Sequence, residues 1–316
     1  MSDKYQATRI VPADAAGIAA AADLLRRGAP VAVPTETVYG LAARADSADA
    51  VAAIYRAKGR PDFNPLIVHV ADLAAAETIA CCDSRARKLA AAFWPGALTL
   101  VLPLRAGARI APAVTAGLST IALRCPAHPA MRAVLATSGL ALAAPSANRS
   151  GGVSPTRAEH VAASLGGRIG LVLDGGTCAA GIESTIVALR SDGSWRVLRP
   201  GPITAEAIAA LLGPETASTA AGGIEAPGQL TSHYAPGKPV RLNADRARSD
   251  EFLIGFGDLE GDVNLSPTAD LAEAAARLYE CLHRAAAAPQ SRIAVGAIPA
   301  AGIGIAINDR LRRAAA

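Results

Sequence analysis

Strand-length apolar runs recur along the chain, and several follow one another with no room for a helix between them. Those runs are the short VAV segment Val31–Val33, LIVHV (66–70), LTLVL (98–102), TIALRC (120–125), LALAAP (140–145), GLVLDGG (170–176), STIVAL (184–189) and RVLRPG (196–201). Their β-branched and leucine content suits a pleated, buried surface. Helical patterns separate only some of them: DAAGIAAAADLLRRG (14–28), which closes on the helix-stopping Gly28, Asp46–Ala57 and Ser84–Phe93. A chain patterned this way is expected to form a large twisted α/β sheet of mixed strand direction flanked by helices.

Beyond Ile208–Leu212 the pattern breaks. Residues 213–239, GPETASTAAGGIEAPGQLTSHYAPGKP, are rich in Gly, Pro, Ser, Thr and Ala and show no apolar period, which is the composition of a linker. A second α/β pattern follows, with strands near 252–256 and 292–298, a helix over Leu271–Ala287 and another near Asn308–Arg313. Two lobes joined by a tether are therefore expected, as the length of 316 residues allows.

Hydrophobic residues make up 51% and charged residues 18%, which excludes wholesale disorder. A net charge of +4 is compatible with an anionic ligand but requires none, and 3% aromatic residues is low for a protein that stacks unpaired bases. Five cysteines without a C-x-x-C pair read as reduced thiols and not as a disulfide frame or metal site. With no charged leader followed by an apolar segment and no membrane-length apolar span, a cytoplasmic protein is expected.

Familiar nucleotide and hydrolase signatures are absent. There is no G-x-x-x-x-G-K-[ST], H-E-x-x-H or G-x-S-x-G, and GFGDLEG (255–261) misses the dinucleotide fingerprint by one residue. What remains is a set of loops at strand ends. IYRAKGRPDFNPLIVHV places Lys58 and Arg60 two residues apart, a compact charge beside a bidentate fork, both suited to phosphate oxygens. APSANRSGGVSPT (144–156) offers Ser146, Asn148, Ser150 and Ser154 with Gly151 and Gly152 for close backbone approach. Arg124 in LRCP and Arg199 in LRPG leave strands in the same way, although any one such arginine alone is more often a surface residue. PTETVYG (34–40) and GIESTI (181–186) could read a small polar substrate or merely cap strands. His69 inside LIVHV could be a core residue or a ligand, and His233 and Tyr234 stand together in the linker, a solvated tether or a functional loop.

Taken in order, PTETVYGLAA, IYRAKGRPDFNPLIVHV, FWPGALTLVL, APSANRSGGVSPT, GIESTI and VLRPG resemble the motifs of the YrdC/Sua5 family of L-threonylcarbamoyladenylate synthases. HYAP and the terminal GIAINDRLRRAA are similar to the two-domain Sua5 form, so the resemblance covers nearly the whole chain. It implies a YrdC-like catalytic domain over 1–212, a linker or lid over 213–239 and a small Rossmann-like α/β domain over 240–316. The implied activity is that of a nucleotidyltransferase: L-threonine, bicarbonate and ATP condense to threonylcarbamoyl-AMP with release of pyrophosphate, for tRNA N6-threonylcarbamoyladenosine synthesis. Lys58 and Arg60, with Ser146 and Asn148, match the family's K-x-R and S-x-N elements and are implied to meet the triphosphate, the first pair as the catalytic cations. Asn64, Thr120, Ser154 and Arg199 match further ATP positions, while Thr37, His69, Arg124, Ala144 and Ser184 match those around L-threonine. His233 and Tyr234 are implied to belong to a lid over the loaded site. Mg²⁺ is expected with the phosphates and no metal site in the chain itself. A downstream threonylcarbamoyl transferase complex is a candidate partner, and neither membrane attachment nor stable tRNA binding is expected. One departure stands out: Gln229 and Leu230 occupy places where relatives carry a Met and a basic residue before HYAP.

Two rival readings stay open on the residues. A nucleic-acid-binding module without turnover would show steeply salt-dependent binding of tRNA or duplex. A carbamoyltransferase on the same scaffold would use carbamoyl phosphate in place of threonine.

Overall fold

The computed structural model describes residues 7–61, 64–216, 225–227 and 233–316. The Gln229–Leu230 departure lies outside them. Ten strands build the first sheet: β1 (Arg9–Pro12), β2 (Val31–Val33), β3 (Gly40–Arg44), β4 (Ile67–His69), β5 (Leu98–Pro103), β6 (Thr120–Arg124), β7 (Leu142–Ala143), β8 (Leu171–Asp174), β9 (Thr185–Leu189) and β10 (Trp195–Arg199). Their order is β1-β8-β2-β3-β7-β4-β6-β5-β9-β10. Parallel pairs such as β4 with β6 and β5 with β9 alternate with antiparallel ones such as β3 with β7 and β5 with β6, so the sheet is mixed, as the helix-poor spacing requires.

Helices α1 (Ala15–Arg26), α2 (Ala48–Lys58), α3 (Leu73–Glu77), α4 (Ser84–Phe93), α5 (Pro112–Thr115), α6 (Pro129–Ser138), α7 (Ala158–Leu165) and α8 (Ala205–Leu212) accompany this sheet. Short polar side chains start several of them. Asp14 accepts from the Gly17 N–H, Ser47 from Ala50 and Asp83 from Ala86. At the other end of α2, Gly59 takes the left-handed conformation with φ 61° and stops the helix at Lys58.

Several elements were not legible in the pattern. β1 is an exposed edge strand ending in proline, and β3 reads GLAAR, with no β-branched residue, yet is buried between β2 and β7. LALAAP contributes only Leu142–Ala143, after which Ala144 N donates to the Ile67 carbonyl of β4 and the chain runs into the site.

The second lobe is a four-stranded parallel sheet, β11 (Val240–Ala244), β12 (Glu251–Gly255), β13 (Val263–Asn264) and β14 (Arg292–Gly296), in the order β11-β14-β12-β13. It is covered by α9 (Leu271–Ala287) and α10 (Gly304–Ala314). The last helix begins earlier than the Asn308 start expected from sequence, with Asn308 Nδ2 donating to the Gly304 carbonyl inside it.

The lobes share a core. Val38, Val153 and Ile182 from the first lobe pack in one buried cluster with Tyr234 and with Leu278, Tyr279 and Leu282 of α9. Gly181 makes the closest approach: its φ is +69° and a Cβ there would sit 2.3 Å from the Ala276 carbonyl oxygen on α9. His160 of α7 stacks on His283 of α9 with ring centroids 3.8 Å apart, and His283 Nε2 lies 3.1 Å from the Ser154 carbonyl. Gly181→Ala is therefore expected to destabilise the protein by roughly 2–4 kcal/mol, the sum of a left-handed alanine and a backbone clash. Gly193→Ala is the comparison, since Gly193 has φ 89° but open space around it, and should cost only about 1 kcal/mol. Equal losses in denaturant melts of the two variants would show that the approach of α9 is not a tight contact.

Candidate active site

A cavity of about 50 Å³ opens where β3, β4, β6, β7 and β9 end. Its walls come from the loops singled out in the sequence. Thr35, Thr37 and Val38 belong to PTETVYG, Arg60 to the turn after α2, and Ile67 and His69 to β4. Arg124 ends β6, Ala144, Pro145 and Ser146 follow β7, Glu183 and Ser184 precede β9, and Arg199 ends β10. Pro227, His233 and Tyr234 of the connecting segment close the remaining side.

The threonines form a polar bracket at one end. Thr35 Oγ1 donates to the Val38 carbonyl at 2.6 Å, and the Thr35 and Thr37 hydroxyls are 2.8 Å apart. Arg124, 4% exposed, lies across them: Nη1 donates to Thr37 Oγ1 at 2.8 Å, Nε to the Gly96 carbonyl at 3.1 Å, and Nη2 is 2.8 Å from Glu36 Oε1. Burial pushes the Glu36 carboxyl up, but the Arg124 guanidinium and the Ala127 N–H outweigh it and leave its pKa below the usual value. His69 beside them is buried with neither ring nitrogen hydrogen-bonded among the described residues. Its pKa falls to about 3, chiefly through burial and then through Arg124, so the imidazole is neutral.

At the other end stand two guanidiniums without a carboxylate partner among the described residues. Arg60 Nη2 donates to the Asn64 and Pro65 carbonyls, at 3.4 and 3.2 Å. Arg199, 5% exposed, donates to the Ser184 carbonyl at 3.1 and 2.9 Å and to Ser184 Oγ at 3.1 Å. Among the described residues neither forms an ion pair, and burial lowers the pKa of both. A buried cation without an anion is a costly arrangement, and a ligand anion relieves it.

All five residues implied for the amino acid, Thr37, His69, Arg124, Ala144 and Ser184, line the cavity. Of the nucleotide set, Arg60, Ser146, Arg199, His233 and Tyr234 do so, while Lys58, Asn64, Thr120, Asn148 and Ser154 stand outside the lining. Lys58, expected to meet an anion directly, is 2% exposed and donates to the Ser146 carbonyl at 2.6 Å and the Asn148 carbonyl at 2.5 Å. Asn148 Nδ2 holds the same loop through the Arg149 and Gly152 carbonyls, at 2.9 and 2.8 Å. Ser154 Oγ donates to Glu183 Oε1 at 2.6 Å, and Tyr55 Oη donates to the Asn64 carbonyl at 3.1 Å. Thr120 opens β6 opposite Pro103. These residues shape the loops that carry the lining.

Glu36 and Glu183 were not singled out from sequence. The signal was there: GIESTI sets an acidic residue between isoleucine and a strand, a place where a carboxylate is buried and must be paired.

The sequence matches a family profile described as "Telomere recombination" (Sua5, YciO and YrdC) over residues 23–201, and a second described as "Threonylcarbamoyl-AMP synthase, C-terminal domain" over residues 203–316. A threonylcarbamoyl-AMP synthase of Bacillus subtilis is 41% identical over 322 residues, spanning 94% of this chain and 92% of the relative. One from Pyrococcus abyssi is 37% identical over 320 residues, with 93% and 92% covered. The crystal structure of P. abyssi Sua5 complexed with L-threonine superposes with a TM-score of 0.88 at 33% identity, covering 98% of each chain.

Proposed function

The chain belongs to the Sua5/YciO/YrdC family, and from that premise we propose that the cavity condenses L-threonine, bicarbonate and ATP into threonylcarbamoyl-AMP and pyrophosphate. The observation that carries the reading is the contrast between its arginines: Arg124 is already balanced by Glu36, whereas half-buried Arg60 and buried Arg199 have, among the described residues, carbonyl and hydroxyl partners and no ion pair. The first end suits a zwitterion, the second a polyanion.

In the reaction, the amine of threonine and bicarbonate give a carbamate and water. A carbamate oxygen then attacks the α-phosphorus of ATP, and the bond to the β-phosphate breaks as pyrophosphate leaves. The carbamate is a weak nucleophile and the phosphorus is screened by negative oxygens, so the chain contributes mainly position and charge. Two of the five guanidinium N–H groups of Arg124 are hydrogen-bonded, to Gly96 and Thr37, and Nη2 pairs with Glu36 by charge alone, which leaves N–H groups for the amino acid's carboxylate. Neutral His69 can accept or donate one hydrogen bond without adding charge. Arg60 and Arg199 take the phosphates and the charge that gathers on the leaving group. Mg²⁺ would arrive on the ATP phosphates. Glu183, the one carboxylate in the lining, is taken up by Ser154, Tyr279 and Arg310, so the chain's share is cationic.

A cavity of 50 Å³ has room for about four waters, far less than a nucleotide occupies. His233 and Tyr234 line this small space, and their moving aside for ATP and closing over it would keep water from a labile adenylate, as in the lid reading. No helix among the described residues is long and apolar enough to cross a membrane, and action in the cytoplasm, feeding a threonylcarbamoyl transferase, is part of the proposal.

The test is pyrophosphate release from Mg²⁺-ATP with threonine and bicarbonate each supplied or withheld. Release is expected only with both, with threonylcarbamoyl-AMP identified by mass spectrometry. Release with carbamoyl phosphate in place of threonine would move the chain to carbamoyl transfer. Tight, salt-sensitive tRNA binding without any turnover would make it a nucleic-acid-binding module.

A further inference from the structure

Glu183 puts a carboxylate into the wall of a cavity whose proposed guest is a polyanion, beside Arg199 and within the reach of His233 and Tyr234. Left to itself it would repel that guest. Its partners come largely from the other lobe: Arg310 Nε of α10 lies 3.1 Å from Oε2, Tyr279 Oη of α9 donates to Oε2 at 2.8 Å, and Ser154 Oγ donates to Oε1 at 2.6 Å. Arg310 is wholly buried, 0% exposed, and is anchored by the Pro200 carbonyl at 2.5 Å and by Asp309 at 3.2 Å. Its guanidinium carbon also sits 5.8 Å from the centroid of the Tyr234 ring. A fully buried arginine this far from solvent is held there by what it neutralises.

We propose that Arg310 is a positioning residue of the second lobe that cancels the charge of Glu183, so that the cavity offers ATP a net cationic wall. Tyr279 holds the same carboxylate through its hydroxyl. The inference rests on the reading that the cavity takes ATP. The carboxyl stays ionised because Arg310, Arg199 and the two hydroxyls outweigh the burial that pushes it up, leaving its pKa at about 2.

The experiment compares the full chain with R310M, R310K, E183Q and the double variant R310M/E183Q. Mg²⁺-ATP binding is followed by calorimetry, steady-state constants by pyrophosphate release, and folding by thermal unfolding. R310M is expected to raise both the ATP dissociation constant and KM for ATP by about tenfold or more while KM for threonine changes little, since an unpaired anion acts first on the polyanion. The double variant, with neither charge of the pair left alone and Asp309 still paired with Arg313, is expected to return to within about threefold of wild type, which a loss of packing alone would not do. R310K, which keeps the charge, should fall between. If R310M does not fold, the double variant decides: folded and binding ATP supports the inference, folded and not binding overturns it. Should both fail to fold, E183Q decides, because removing the carboxylate must leave ATP binding equal or tighter, and weaker binding overturns the inference. Wild-type ATP binding together with an unchanged R310M overturns it alone. A wild-type chain that binds no ATP overturns the functional reading and this inference with it.

Discussion

Lys58→Ala is expected to lower turnover by about 10²-fold, the order of loss when a positioning loop shifts by about 1 Å. The structure says how. The ammonium sits at the last residue of α2, just before the left-handed Gly59, and its two bonds tie the Ser146 and Asn148 carbonyls together from beneath the cavity floor. Alanine would leave two buried carbonyls facing a void, costing on the order of 2–4 kcal/mol of stability and releasing the loop that presents Ser146. Burial holds the Lys58 pKa well below that of a free lysine, with the neighbouring Arg60 charge pushing the same way. Pyrophosphate release measures the rate. Normal turnover by a folded Lys58→Ala protein would remove Lys58 from the machinery.

Arg124→Ala is expected to abolish threonine-dependent pyrophosphate release while ATP binding persists. The substitution empties the bracket of Thr37 and Gly96 and strands the Glu36 carboxylate in a buried place, a loss of roughly 3–5 kcal/mol. Lysine should not rescue it, because one ammonium cannot replace a fork that serves three partners at once. The pair also predicts a pH dependence. Glu36 has a folded pKa below its unfolded value of 4.5, so its contribution to stability is fully present above that value and is lost as pH falls through the folded one. Acid melts of wild type and Arg124→Ala should therefore draw closer together as pH falls below 4.5. Threonine-dependent turnover in the variant would show that the amino acid is held elsewhere.

The walls of the site were legible because strand ends carry short motifs whose side chains must point one way. Arg124 and Arg199 each close a strand, and His69 closes β4 in parallel register with Arg124 on β6, so their convergence follows from the sheet. What could not be read was the division of labour. Nothing local distinguishes Arg60, which faces the cavity, from Lys58, which turns beneath it, because Gly59 and the return of the loop at residues 146–148 decide that in three dimensions. Glu183 and Arg310 are 127 residues apart and their pairing depends on how two lobes meet, which no periodicity encodes. β3 was missed for the opposite reason: its alanines have little strand preference of their own and are held by neighbours on both sides.

The core shared between the lobes bears on how the chain can be divided. Cutting it after Gly213 would strip the cover from Val38, Val153 and Ile182 and leave Glu183 without Tyr279 and Arg310. Such a fragment would present a sticky apolar face next to an orphaned charge, and its first failing in a test tube would be self-association. Poor yield or inactivity of a severed first lobe would thus report on colloidal behaviour, and only single-residue changes at His233 or Tyr234 can tell a gate from a tether.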